Sequence, residues 1–157
     1  MVSDQYKFRN IAIYSSLNDK KIVAIANQVI EVLTNLGIKC LYPSSSKVTK
    51  SISKRGIADR TIIDKSDLVI AIGGDGTLLS SARNFGIHGI PILGINLGNL
   101  GFLTDIAPSS ITTDLKKVVN GDFIEDKRIF LEAKLDGEKT TYCLLYTSPS
   151  PRDVEES

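Results

Sequence analysis

Asp67-Leu68-Val69-Ile70-Ala71-Ile72-Gly73-Gly74-Asp75-Gly76-Thr77 is the stretch on which the reading of this chain turns. Leu68 to Ile72 is a short, β-branched, wholly apolar run of the length a fully buried strand takes. It stops at Gly73-Gly74-Asp75-Gly76, and Thr77 to Arg83 resumes with a helical pattern. Strand, glycine turn and helix in that order form a cradle for phosphate. Glycines let the backbone approach an anion closely, and the helix adds free N–H groups and the positive end of its dipole. Asp75 is the exception, because a carboxylate among phosphates repels them. That leaves three roles: binding a cation that bridges phosphates, taking a proton from an attacking hydroxyl, or capping the helix. The motif is neither GxxxxGK[ST], since no lysine follows the last glycine, nor GxGxxG.

Around this stretch, 157 residues suffice for one domain with a true core. A formal net charge of +1 gives no sign of a nucleic-acid or membrane surface. No apolar run approaches the roughly 18 residues of a membrane span. The first ten residues contain no apolar signal segment, so a cytoplasmic protein is expected. Cys40 and Cys143 make neither a disulfide framework nor a metal site, and no metal ligands are expected.

Taken in order, Asn10 to Ser16 reads as a strand, and Asn18 or Asp19 offers a helix N-cap. Ile22, Ala26, Val29, Leu33 and Leu36 recur at helical spacing, and Gly37 sits where a left-handed C′ residue belongs. Ile38 to Tyr42 is a second strand, with Cys40 as a small buried hydrophobe. Pro43 to Arg55, rich in Ser and Lys, reads as a surface loop, and Ile57 to Lys65 as a short helix. Gly86 to Gly89 is a turn that leaves His88 at the surface. Ile90 to Ile95 is the next buried strand, with Pro91 near its start. The alternation describes an α/β fold, a doubly wound parallel sheet with helices on both faces. Its ligands belong at the carboxyl ends of the strands, so the loops after Ile72 and Ile95 are expected side by side. Ser110 caps a helix running to Asn120 and closed by Gly121. Arg128 to Leu135 is a strand, and Asp136-Gly137 signals a hairpin that opens a second, β-rich domain.

The loop Asn96-Leu97-Gly98-Asn99-Leu100-Gly101-Phe102-Leu103-Thr104-Asp105 is unusual for a plain connector. Phe102 either stacks on a purine or packs under the loop. Together with Gly73-Gly74-Asp75-Gly76-Thr77, and with Lys127-Arg128 and Leu131-Glu132-Ala133, this block resembles the NAD kinase family. GGDG alone is shared with diacylglycerol-type lipid kinases and, in a related form, with phosphofructokinases. The long second block is what makes the likeness specific. The resemblance covers about residues 10 to 140 and implies a phosphofructokinase-like N-terminal domain. It implies transfer of the γ-phosphoryl group of ATP, with magnesium or another divalent cation, to the 2′-hydroxyl of the adenosine ribose of NAD, giving NADP. Asp75 would accept the proton from that hydroxyl. Gly73, Gly74, Asp75, Gly76, Asn96 and Phe102 would bind the nucleotides, with Phe102 against the adenine. The implied partners are NAD and ATP, with no nucleic acid or membrane and a homo-oligomer in the complete protein. Ser80 stands where some members carry a basic residue, which leaves ATP and polyphosphate open as donors. The alternatives are a lipid kinase and a non-catalytic nucleotide-binding module.

The family's Asn-Glu pair and glycine-rich β domain have no counterpart here. Cys143-Leu-Leu-Tyr-Thr-Ser-Pro-Ser-Pro-Arg-Asp153 instead resembles the translation of a transposase-type sequencing adapter. The expected organisation is therefore an α/β nucleotide-binding domain over 1–125, the start of a truncated β-rich domain over 126–142, and an adapter-derived tail over 143–157 that packs on nothing. Such a fragment is expected to be inactive by itself.

Overall fold

The computed structural model describes residues 6–98, 101, 104–137 and 141–146. The chain divides into two compact units, Met1–Phe123 and Ile124–Ser157. In the first, β1 (Asn10–Tyr14), β2 (Lys39–Leu41), β3 (Leu68–Ile72) and β4 (Ile92–Ile95) form one parallel sheet in the order β2-β1-β3-β4. The helices are α1 (Lys20–Asn35), α2 (Asp59–Lys65), α3 (Asp75–Asn84) and α4 (Ile111–Val119).

Alternation along the strands sorts the core into two layers. Ile11 and Ile13 of β1 and Leu68, Ile70 and Ile72 of β3 meet Ile22, Ile25, Ala26, Val29 and Leu33 of α1 and Ile111, Leu115 and Val119 of α4. Ala12, Tyr14 and Val69, which point the other way, meet Ile62 of α2 and Phe85 at the end of α3. All five residues of β3 are buried, because both faces of this strand are covered. Sheet order reverses direction between β1 and β3, which makes the carboxyl ends of these two strands the crevice of the fold.

Helix ends follow the sequence signals closely. Asp19 caps α1 by accepting the Ile22 N–H at 2.9 Å. At the other end Gly37 takes φ +75°, its N–H donates to Thr34 and that of Ile38 donates to Leu33, which is a Schellman closure. Gly121 and Asp122 close α4 the same way on Val118 and Lys117. Ser110 holds the N-cap position of α4 but not the expected cap bond, since its hydroxyl donates backwards to Ala107 at 3.3 Å.

Two segments depart from expectation. Residues 43–55 are not a surface loop: Val48 and Ile52 enter the first core layer, and Ser46 and Thr49 are buried with them. The segment is a strap of turns, pinned by Lys47 N–H on the Ser15 carbonyl and by a parallel bridge between Pro43 and Ile57. That bridge takes Ile57 into the sheet margin, so α2 begins at Asp59. Cys40 is half-buried on the edge strand β2 rather than enclosed. Burial nevertheless pushes its thiol up to about 11, against smaller opposite pulls from Tyr42, Lys54 and Thr34. Tyr42 is itself pushed up to about 12, first by burial and then by Cys40.

The second unit contains β5 (Ile129–Lys134) and β6 (Thr141–Tyr146), paired antiparallel with Ile129 opposite Tyr146 and Lys134 opposite Thr141. This register leaves six residues in the hairpin loop, so Asp136-Gly137 is only part of a longer connection. β6 also runs through Cys143–Tyr146, which the sequence reading set aside as unpacked tail; residues 147–157 lie outside the described residues. Among the described residues no helix is long and apolar enough to cross a membrane.

Ile70 is fully buried between the layers, so Ile70→Ala is expected to lower stability by about 3 kcal/mol, measured as a lower urea midpoint. Cys40 supplies a pH test. In the fold its thiol keeps the proton up to about 11, whereas the unperturbed value is 9.0. Its contribution to stability is therefore complete below pH 9 and is lost as pH rises from 9 to 11, where the unfolded chain ionises first. At pH 8, in a Cys143→Ser background, iodoacetamide should alkylate the folded chain about 100-fold more slowly than the urea-unfolded chain.

Candidate active site

The carboxyl ends of β1, β3 and β4 carry the residues from which a site can be built. Ile72 pairs with Ile95 in register, so Gly73 and Asn96 leave the sheet side by side, and the Gly73 N–H donates to the Ile95 carbonyl at 2.9 Å. The two loops are adjacent, as the sequence predicts.

Gly73 has φ +154°, and a Cβ there would collide with the Thr77 side chain. The chain turns from β3 into α3 only because that side chain can lie against the bare Cα. Gly74 is the N-cap of α3 and Asp75 its first residue, so the cap position belongs to a residue without a side chain. The Gly73 N–H is committed to the sheet. The donors at the head of α3 are accordingly those of the N-cap and first turn, Gly74 to Thr77, where helix geometry supplies no intrahelical acceptor.

The Asp75 carboxylate meets the second loop. A Cβ on Gly101 would come within 2.5 Å of Asp75 Oδ1, so the two loops touch where residue 101 has no side chain. The second loop is held at its base. Gly94 N–H donates to Asp105 Oδ2 at 3.2 Å, Asp105 N–H returns to the Gly94 carbonyl at 2.9 Å, and Asn96 N–H donates to the Ile106 carbonyl at 2.9 Å. Asn96 is buried, and its Oδ1 accepts the Gly98 N–H at 2.9 Å, so its side chain shapes the loop from within. Phe102 lies outside the described residues.

Three hydroxyls at the end of β1, which sequence reading did not single out, complete the crevice. Ser15 is fully buried and donates to the Ile72 carbonyl at 2.7 Å. Ser16 Oγ and Thr77 Oγ1 are 2.7 Å apart, and Tyr14 OH and Ser80 Oγ are 2.6 Å apart. The last two pairs fasten the first two turns of α3 to the end of β1. The signal available in sequence was only the position of Tyr14-Ser15-Ser16 at the end of the strand that lies beside the glycine turn. His88, exposed in the turn between α3 and β4, precedes the amino end of β4, away from the carboxyl ends that carry the glycine turn and the second loop, and takes no part.

Taken together, the crevice offers backbone donors without a basic side chain in the turn, one carboxylate at their edge, and a neighbouring loop pressed against it. This suits an anionic ligand that brings an acidic hydroxyl or a cation to Asp75.

Comparison with known proteins places the same residues in one family. The family model for the ATP-NAD kinase N-terminal domain matches residues 8–123. The chain is 36% identical over 131 residues to the NAD kinase of Marinobacter nauticus, covering 83% of this chain and 45% of that protein. It is 38% identical over 128 residues to the NAD kinase of Geotalea daltonii, covering 81% and 44%. Among solved structures it resembles yeast NADH kinase complexed with NADH, with a TM-score of 0.67 and 17% identity over 87% of this chain and 46% of that one. It also resembles an NAD kinase from Archaeoglobus fulgidus in complex with ATP, with a TM-score of 0.53 and 22% identity over 79% and 41%. The chain spans a little under half the length of these relatives. Since the matched residues 8–123 carry both the Gly73–Thr77 turn and the loop pressed against it, the chain belongs to the ATP-NAD kinase family.

Proposed function

We propose that this chain is the nucleotide-binding half of an NAD kinase, in which the γ-phosphoryl group of ATP passes to the 2′-hydroxyl of the adenosine ribose of NAD. The observation that carries the reading is the placement of Asp75 at the head of α3, with Gly101 bare against its carboxylate. Family membership supports the same reaction, and the yeast and Archaeoglobus fulgidus structures hold NADH and ATP respectively.

Phosphoryl transfer depends on alignment and charge neutralisation more than on covalent help from the protein. The N–H groups of Gly74, Gly76 and Thr77 receive phosphate oxygens, assisted by the α3 dipole. Gly73 contributes by making the turn. Asp75 takes the proton of the attacking 2′-hydroxyl, and the loop carrying Gly101 keeps its carboxylate in place. Magnesium, or another divalent cation, arrives with ATP as part of the donor. Asn96 shapes the second loop, and Phe102, outside the described residues, is the residue proposed for the adenine. The ribose of NAD needs further contacts beyond this half, so the 157-residue chain alone turns over little or no NAD. Alignment of the reacting groups is worth roughly 7–11 kcal/mol and is lost without them. A homo-oligomeric complete enzyme in the cytoplasm belongs to the same proposal.

The test joins residues 1–125 to the C-terminal half of the Geotalea daltonii relative and follows NADP formation with ATP and magnesium. Asp75→Asn is expected to lower kcat about 100-fold or more while leaving the fold intact by circular dichroism. Undiminished turnover would remove Asp75 from the chemistry, whereas nucleotide binding without turnover by the unsubstituted chimera would favour a non-catalytic nucleotide-binding module. In the same chimera Gly101→Ala should lower kcat while the KM for ATP stays near its starting value, because the added methyl displaces the carboxylate rather than the phosphate donors.

A further inference from the structure

The phosphate cradle lacks a cation of its own. None of residues 73–77 is basic, and position 80 is serine. A nucleotide phosphate chain carries several negative charges, whereas the end of a helix offers about half an elementary charge. The charge has to come from elsewhere in the fold, and one ammonium reaches the second loop from α1.

That group is Lys21, in the first turn of α1. Its Nζ lies 3.3 Å from the point that a Cβ on Gly98 would occupy. α1 follows β1 and Gly98 follows β4, while β3 lies between those two strands in the sheet. A side chain rooted after β1 therefore ends beside the loop after β4, on the side of the sheet where the carboxyl ends of the strands and the Gly73 turn lie. Gly98 makes room for it: its φ is +113°, fixed by the bond from its N–H to Asn96 Oδ1, and any side chain there would meet the ammonium. α1 packs in the layer of Ile11 and Ile13, and Phe85, at the end of α3, in that of Ala12 and Tyr14. Lys21 and Asp75 therefore belong to helices on opposite faces of the sheet, and both side chains reach the second loop, at Gly98 and Gly101. Lys21 is exposed and takes part in no ion pair among the described residues, so its charge is not spent within the protein.

The geometry points to Lys21 as the residue that binds the phosphate chain of the donor nucleotide. This rests on the phosphoryl-transfer reading above and adds the cation that the glycine turn lacks. A lysine suits the place, because a flexible point charge can follow a phosphate group whose position shifts during transfer. Asn96 thereby acquires a second consequence, since by fixing Gly98 it keeps clear the space that Lys21 occupies.

The 157-residue chain can be tested directly by calorimetric titration with ATP and magnesium, with inorganic tripolyphosphate and with NAD. Lys21→Met is expected to weaken ATP and tripolyphosphate about tenfold, Lys21→Arg to stay near the wild type, and NAD to be less affected than either. Lys20→Met removes the same charge from the neighbouring residue, whose side chain lines a shallow groove with Asn27 and Ser51, and is expected to change nothing. Equal affinity of the wild type and Lys21→Met for tripolyphosphate overturns the assignment, as does an equal loss in Lys20→Met or no uptake of tripolyphosphate by the wild type. Uptake of tripolyphosphate that depends on Lys21, without uptake of ATP or NAD, keeps the phosphate site and removes the kinase reading. Uptake of ATP that ignores position 21 does the reverse.

Discussion

The hydroxyl of Ser15, donating to the carbonyl of Ile72, is the bond on which the geometry of the crevice depends. Ile72 is the last residue of β3, and its carbonyl stands where the sheet stops and the glycine turn begins. Were it unpaired, a buried acceptor would remain unsatisfied at a cost of about 1–3 kcal/mol. Ser15 satisfies it from the adjacent strand and so fixes the ends of β1 and β3 level with each other. The Ser15 N–H and carbonyl are occupied in turn by Ser46 Oγ and Lys47 N–H, which ties the strap over residues 43–55 to the same point. One small side chain thus joins two strands and a crossing segment at the place where a ligand must enter.

From that point outward the turn into α3 follows by exclusion. Ile72 is level with Ile95, the Gly73 N–H is drawn to Ile95, and the Thr77 side chain lies against the Gly73 Cα. The head of α3 has little freedom left. Ser16 and Tyr14, clasping Thr77 and Ser80, remove the rest by holding the first two turns of the helix to β1. This is preorganisation in a concrete form: the backbone donors that would receive phosphate are oriented before anything binds, so no reorganisation is required of them during reaction.

The parts of this arrangement that were legible in the sequence are those carried by local pattern. The wholly buried β3 run, the glycine turn, the period of α1, the Asp19 cap and the Gly37 closure each occupy a few consecutive residues, and each holds in the structure. The strap was misread because Val48 and Ile52 make only one apolar repeat among Ser and Lys; two residues set no period. The hydroxyl clasps were invisible for a different reason. Tyr14 and Ser80 are 66 residues apart and Ser16 and Thr77 are 61 apart, and a serine or tyrosine gives no sign of a partner at that distance. They become inferable only once the strand order puts β1 beside β3. Lys21 belongs with them, since in sequence it is one of two lysines at the start of a helix.

The second loop shows how the site transmits constraint. Its base is a closed pair of bonds between Gly94 and Asp105, and Gly94 sits so close beneath that a Cβ would come within 3.1 Å of the Thr104 Cα. The approach buries the Thr104 hydroxyl, which has no hydrogen-bond partner among the described residues. A buried, unpaired hydroxyl opposes folding, so something in the segment must outweigh it. The compensation lies in what the pinned base controls. With Gly94, Asn96 and Asp105 fixed, the excursion between them is directed back towards the head of α3, where Gly101 meets the Asp75 carboxylate. A looser base would let Gly101 withdraw from the carboxylate. The close packing at the foot of the loop, which only a glycine at 94 allows, and the contact of Gly101 with the carboxylate at its crest thus belong to one pinned stretch of chain, so that order at the site is set by bonds made at the sheet.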